Sequence, residues 1–178
     1  IESLRDVIYY LESFDFALVR SAIPNFFVSR LAHGKAKVIL TGEGADEIFS
    51  GYHYLKQIPP EELRQELWQI TSSLHNLNLQ RTDRMTMAHS IEGRVPFLDI
   101  GFVNVASRVP LDLKLGSNQT EKWALRVGFK DALPEAVVWR KKEKFSQGAG
   151  SVFYLRNFAE KQITDRELEK ERERKPWL

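Results

Sequence analysis

Val38-Ile39-Leu40-Thr41-Gly42-Glu43-Gly44-Ala45-Asp46-Glu47-Ile48-Phe49-Ser50-Gly51-Tyr52 is the stretch whose reading decides the fold. With Lys37 in front, its first residues form a short, β-branched, apolar run that suits a buried parallel strand. Gly42 and Gly44 supply a permissive turn, and Ile48-Phe49 then open a short helix. Strand, glycine turn and helix start is the arrangement that aims backbone N–H groups at an anion. Here Glu43, Asp46 and Glu47 put carboxylates into the same turn. A bare phosphate would be repelled, so a cation has to intervene: a magnesium ion, an ammonium group or a substrate amine. The other reading is a surface turn in which Asp46 and Glu47 complement the helix dipole, worth a few tenths to ~1 kcal/mol.

Working outward, residues 3–14 have helical spacing at Leu4, Val7, Ile8 and Leu11. A second helix is expected from about Ser21, with Pro24 in its first turn and Gly34 as its stop. After Pro59-Pro60, Leu63, Leu67, Ile70 and Leu74 mark a clean amphipathic helix. Residues 76–95 are expected to carry another. Asp99 is a candidate N-cap for a helix to about Ser107, closed by Pro110. Further helices are expected over 120–132, 135–139 and 151–163, with a polar loop over 141–150. In residues 159–175, 12 of 17 positions are charged, six of each sign. That density, with only Ile163 and Leu168 fit for a core, reads as a charged helical or frayed tail (159–178) after one unit over 1–158. There is no internal repeat, and one strand only is expected.

Composition removes several classes of function. Lys plus Arg is 26 against 24 for Asp plus Glu, a net +2, which gives no electrostatic case for nucleic acid or an anionic membrane. No run approaches ~18 apolar residues, so no membrane span is expected. With Glu2, Arg5 and Asp6 among the first eleven residues, nothing at the start reads as a secretory signal, and a cytoplasmic setting is expected. Cysteine is absent, which excludes disulfides, cysteine-ligated metals and a cysteine nucleophile in this chain. Ile1 stands first and helical spacing begins at once, so the chain is expected to be the trailing part of a longer polypeptide. Ser3 with Asp6, a weak capping box, keeps a start here open.

Two charged runs could carry chemistry. Residues 140–146 concentrate Arg140, Lys141, Lys142 and Lys144. A lysine there can meet a phosphate oxygen as a mobile point charge, or belong to a solvated basic edge. Arg81, Asp83, Arg84, Glu92 and Arg94 form the other run, most simply a salt-bridged face. The four histidines show no ligand spacing.

Taken together, three segments resemble the asparagine synthetase family in its synthetase domain. They are the glycine turn at 38–52, then Arg81-Thr82-Asp83-Arg84 with Glu92-Gly93-Arg94-Val95-Pro96-Phe97-Leu98-Asp99, then Trp139-Arg140-Lys141-Lys142-Glu143-Lys144-Phe145-Ser146-Gln147-Gly148. The resemblance runs from about residue 4 to about 155. It implies an α/β fold: the C-terminal, mostly helical portion of a PP-loop, Rossmann-like domain that binds adenine nucleotides. It also implies ATP and aspartate as substrates, joined as β-aspartyl-AMP with release of pyrophosphate, and ammonia as the nucleophile that yields asparagine. Mg2+ accompanies the nucleotide.

By motif, Glu43 matches the acid that takes a proton from the incoming ammonia, and Lys142 matches the lysine that reaches phosphate oxygens. Thr41, Gly42 and Gly44 match the turn lining the adenylate site. Asp46 matches an acid near pyrophosphate and its magnesium. Tyr52 and Arg81 match positions facing the site, while Arg94 and Asp99 are read as holding the fold. The family's Ser-Gly-Gly-x-Asp-Ser phosphate loop is not in this chain, nor is the glutaminase cysteine. Both segments are expected in the same longer chain or in a partner chain, and the chain alone is expected to be inactive. A short homologue that has lost catalysis and serves as a binding or assembly module is the alternative. Asn76 and Asn78 stand where some relatives carry an acid, which argues against a β-lactam-forming chemistry.

Overall fold

The computed structural model describes residues 2–174. Helix α1 (Leu4–Leu11) turns Val7 and Leu11 inward, and the Ser3 side chain caps nothing, so the expected capping box is not formed. Helix α2 (Phe16–Ala32) begins well before Ser21, because the Asp15 carboxylate accepts the Leu18 N–H at 2.7 Å and starts it there. Pro24 therefore lies inside the helix and not in its first turn. A proline has no N–H to give the carbonyl four residues back. That carbonyl, on Arg20, instead accepts the Ser151 hydroxyl at 2.6 Å.

Strand β1 (Val38–Leu40) leads through the glycine turn into α3 (Ala45–Ile48). Pro60 then opens α4 (Pro60–Ser72), and α5 (Asn78–Met87) follows a short 3-10 turn. The helix expected over 76–95 is thus shorter, and the chain reverses at Ser90, left-handed at φ 56, into a second strand, β2 (Glu92–Arg94). This strand was not expected, since Glu-Gly-Arg has no β-branched or alternating pattern to announce it. It pairs in parallel with β1, Val38 opposite Glu92 and Leu40 opposite Arg94. The strand at 38–40 is parallel as read, but it is not buried on both faces: Leu40 is 73% exposed.

Asp99 caps α6 (Ile100–Ala106) by accepting the Phe102 N–H at 2.9 Å. Pro110 precedes α7 (Leu111–Lys114), and α8 (Trp123–Gly128) is shorter than the helix expected over 120–132. After α9 (Glu135–Val138), the expected loop holds one helical turn, α10 (Phe145–Gly148). Helix α11 (Ser151–Gln162) returns to pack on α2. Helix α12 (Asp165–Arg174) buries no residue, and Ile163 and Leu168 are both exposed. The last residues of the tail read as 159–178 lie outside the described residues.

Three apolar clusters support this arrangement. Val7, Leu11, Leu18, Val19, Ala22, Phe26 and Met85 join α1, α2 and α5. Ile48, Phe49 and Ala106 join α3 to α6. Leu55, Leu63 and Leu67 anchor α4 beneath Tyr52. The segment that follows the glycine turn supplies Ile48 and Phe49 to the second cluster and packs Tyr52 on the third.

Two stability predictions follow from this packing. Ser151→Ala strands the Arg20 carbonyl and costs about 1–3 kcal/mol in denaturant unfolding. Adding Pro24→Ala, which restores an internal N–H donor, recovers most of that loss. Lys114 is only 4% exposed, with its ammonium 5.9 Å from the Phe49 ring centroid. Burial, reinforced by nearby Arg64, lowers its pKa from 10.5 to about 8. Between those values the unfolded chain binds the proton that the folded chain releases, so stability rises with pH across that window. Lys114→Met should abolish the rise and lift Tm at neutral pH, by about 2–4 °C per kcal/mol of burial cost removed.

Candidate functional site at the glycine turn

A cleft of about 820 Å³ opens between the glycine turn, α2, α5 and the segment leading into α10. Thr41, Gly42, Glu43, Asp46, Tyr52, Arg81 and Lys142 all line it. Gly44 does not. It adopts φ 92, and a β-carbon there would sit 2.5 Å from Leu98 Cδ2, so it serves the turn and its packing against the α6 side.

Each acid of the turn has its own partners, drawn from distant parts of the chain. Glu43 Oε1 accepts from the Arg81 guanidinium and from the Thr82 hydroxyl, the latter at 3.0 Å. Glu43 Oε2 has no partner among the described residues. Arg81 is buried on α5, and its Nε, like the Thr41 hydroxyl on the same cleft, is buried without a hydrogen-bond partner.

Asp46 carries two ammonium groups. Lys142 Nζ lies 2.7 Å from both Oδ1 and Oδ2, and Lys122 Nζ lies 2.8 Å from Oδ1. Burial pushes the Asp46 pKa up, but Lys122 and Lys142 together outweigh it and hold the carboxyl below its ordinary value. Gly51 makes the room for this arrangement. A β-carbon there would overlap Asp46 Oδ1 and come within 2.5 Å of Lys122 Cε.

Glu47 is 2% exposed. Its Oε1 accepts from the Tyr52 hydroxyl and from Asn78 Nδ2 (3.1 Å), and Asn78 Nδ2 also reaches the Tyr52 oxygen at 2.9 Å. Burial and then the Glu47 charge push the Tyr52 hydroxyl well above its usual pKa, so it stays protonated. The surface-turn reading of Asp46 and Glu47 fails on this geometry, since neither carboxylate is free in solvent. The cations that the acidic turn demands are side chains of the protein itself for Glu43 and Asp46.

The second charged run divides. Arg81 enters the cleft, while Arg94 pairs with Glu92 (2.7 Å) and Arg84 with Glu12 (2.8 Å) outside it. Arg94 contributes to the fold through its carbonyl, which accepts the Thr41 N–H at 2.8 Å. Sequence reasoning missed Lys122 altogether and gave Thr82, inside the Arg81–Arg84 segment, no role. Lys122 is an isolated cation far from any recognisable run, and no spacing signal marks it.

The family model for asparagine synthase matches residues 1–69 and 59–175. Among curated relatives, the chain is 38% identical to asparagine synthetase B [glutamine-hydrolyzing] of Escherichia coli (strain K12), over 99% of this chain and 33% of that protein. It is 37% identical to the glutamine-hydrolyzing asparagine synthetase of Gallus gallus, again over 99% and 33%. With the nodule asparagine synthetase of Pisum sativum it shares 37% identity over 93% of this chain and 30% of that protein. The chain thus spans about a third of the length of the curated relatives it matches. On the match along nearly its whole length, this chain belongs to the asparagine synthase family.

Proposed function

We propose that these residues form the C-terminal part of a PP-loop, Rossmann-like synthetase domain in an ATP-dependent ligase that converts aspartate to asparagine. The observation that carries this reading is the pair of charge clusters at one cleft: Lys142, with Lys122 behind it, on Asp46, and Arg81 on Glu43. The first suits a phosphate group, and the second suits an ammonia-derived nucleophile.

In the proposed first step, a carboxylate oxygen of aspartate attacks the α-phosphorus of ATP, and pyrophosphate leaves with the bonding pair. Lys142 Nζ donates to phosphate oxygens as charge builds on them. In the second step, ammonia attacks the acyl carbon, and AMP leaves. The nitrogen must shed a proton as the C–N bond forms, and Glu43 Oε2, the oxygen with no partner, takes it. Arg81 and Thr82 pin Oε1 and so aim that oxygen.

Magnesium would enter with the nucleotide, held chiefly by phosphate oxygens and water, and its charge would help neutralise the departing pyrophosphate. Asp46, the acid that motif resemblance sets beside it, is not free to hold it as arranged here: Lys142 engages both its oxygens and Lys122 engages Oδ1. The proposed steps are therefore assigned to Lys142 and Glu43 alone.

The small sheet supports the view that the domain is shared with further chain. Two parallel strands with an exposed Leu40 are too few to be stable without cover. The proposal places the phosphate loop, the remaining strands and any glutaminase segment in the rest of a longer chain or in a partner. A cytoplasmic setting fits such a ligase, and no helix among the described residues is long and apolar enough to cross a membrane.

Two experiments test the assignment. In the complete enzyme, Glu43→Gln should lower asparagine formation about 10²–10⁴-fold while aspartate-dependent pyrophosphate release from ATP persists. Lys142→Met should depress both, and equal loss in the two variants would refute the division of labour. The 178 residues alone should release no pyrophosphate from ATP and aspartate. Release that disappears in Glu43→Ala would show that the chain suffices.

A further inference from the structure

Asp46 holds two ammonium groups with one carboxylate, so the cluster carries a surplus positive charge. The two lysines are not equivalent. Lys142 lines the cleft, lies between α9 and α10, and grips both Asp46 oxygens. Lys122 does not line the cleft and touches Oδ1 alone.

The backbone under Lys122 is also constrained. It is the N-cap of α8, held at φ 57 and ψ 33, a left-handed conformation that costs a non-glycine residue of order 1 kcal/mol or more. Its N–H donates to the Phe49 carbonyl at 3.1 Å, which ties it to the end of α3. Gly51 leaves the space its side chain crosses. Strain, tether and clearance all serve to keep one ammonium on Asp46.

We propose that Lys122 is a positioning residue: it stays on Asp46 and neutralises it, so that Lys142 can leave for a phosphate oxygen. The Asp46 side chain is only 21% exposed. Without Lys122, departure of Lys142 would leave a poorly solvated carboxylate unpaired, and that penalty would be charged against phosphate binding. With Lys122 in place, the carboxylate keeps one charge-assisted hydrogen bond throughout. Lys122 therefore acts on the ligand through Asp46 and does not contact it. This inference rests on the reading of the cleft as a phosphate site.

The test is calorimetric titration of inorganic pyrophosphate, without magnesium, into the complete protein and its variants. Lys122→Gln should weaken binding about tenfold, the scale of one charge-assisted hydrogen bond. Asp46→Asn should bind more tightly than wild type, because Lys142 is already released. The decisive case is Lys122→Gln combined with Asp46→Asn, which should bind as Asp46→Asn does, since no carboxylate is left to strand. If the double variant stays as weak as Lys122→Gln, Lys122 contacts the ligand directly and the proposal falls. Should Lys122→Gln fail to fold, Lys122→Arg keeps the charge and should bind like wild type, and a tenfold loss there overturns the proposal. Failure of wild type and Asp46→Asn alike to bind pyrophosphate would instead refute the phosphate reading, and this inference with it.

Discussion

Three carboxylates lie within five residues of a tight turn, and each must be neutralised or hydrogen-bonded by something far away in sequence. Arg81 and Thr82 reach Glu43 from α5, Lys122 reaches Asp46 from the start of α8, and Lys142 reaches it from the far side of α9. Tyr52 and Asn78 enclose Glu47. Leaving any one of them unpartnered in this partly buried place would cost more than its pairing gains. The requirement therefore fixes where α5, α8 and the segment before α10 must stand around the turn. The apolar clusters fill the volume, and the acids determine which helices face the cleft.

Pairing of this kind is poor as a source of net stability. Two ammonium groups and a carboxylate lose hydration that their mutual attraction only partly returns. A hydrophobic replacement would give a more stable turn and no cleft chemistry. Lys114 shows the opposite economy a few residues away. Its ammonium lies 5.9 Å from the Phe49 ring centroid, and burial, reinforced by Arg64, drives its pKa down to about 8. The same residue type is thus held against a carboxylate at Asp46 and buried without one at position 114. Lys114 is both more deeply buried and without a carboxylate partner among the described residues, whereas Lys122 and Lys142 keep part of their side chains in solvent and share Asp46.

Much of this was legible before any coordinates. β-branched residues and glycines located β1 and the turn, Asp99 declared the start of α6, and Pro60 declared α4. Those features are local, so a linear reading reaches them. Strand β2 escaped because Glu-Gly-Arg has no pattern of its own and is a strand only through its pairing with β1. The start of α2 was misplaced because Pro24 suggests a first turn, whereas the Asp15 cap and the Ser151 hydroxyl together permit it mid-helix. In the cleft, seven of the residues singled out by motif come together, but Lys122 lies outside every motif, and nothing in its own segment gives Thr82 its role. Their roles are set by where α5 and α8 pack, which no spacing in their own segments encodes.

Glu43 poses a chemical question that its surroundings help to answer. A carboxylate already engaged by a guanidinium and a hydroxyl looks ill placed to accept a proton as well. The pairing is one-sided, however. Both donors fall on Oε1, and Oε2 faces none among the described residues. A fixed oxygen in a known orientation avoids the entropy of ordering a free side chain at the moment of attack. The proton to be taken is also not that of free ammonium. Once the C–N bond begins to form, the nitrogen becomes cationic and far more acidic, and a modest base suffices to remove its proton. In the proposed reaction, then, Arg81 and Thr82 occupy one oxygen of Glu43 and thereby leave the other oriented for the proton.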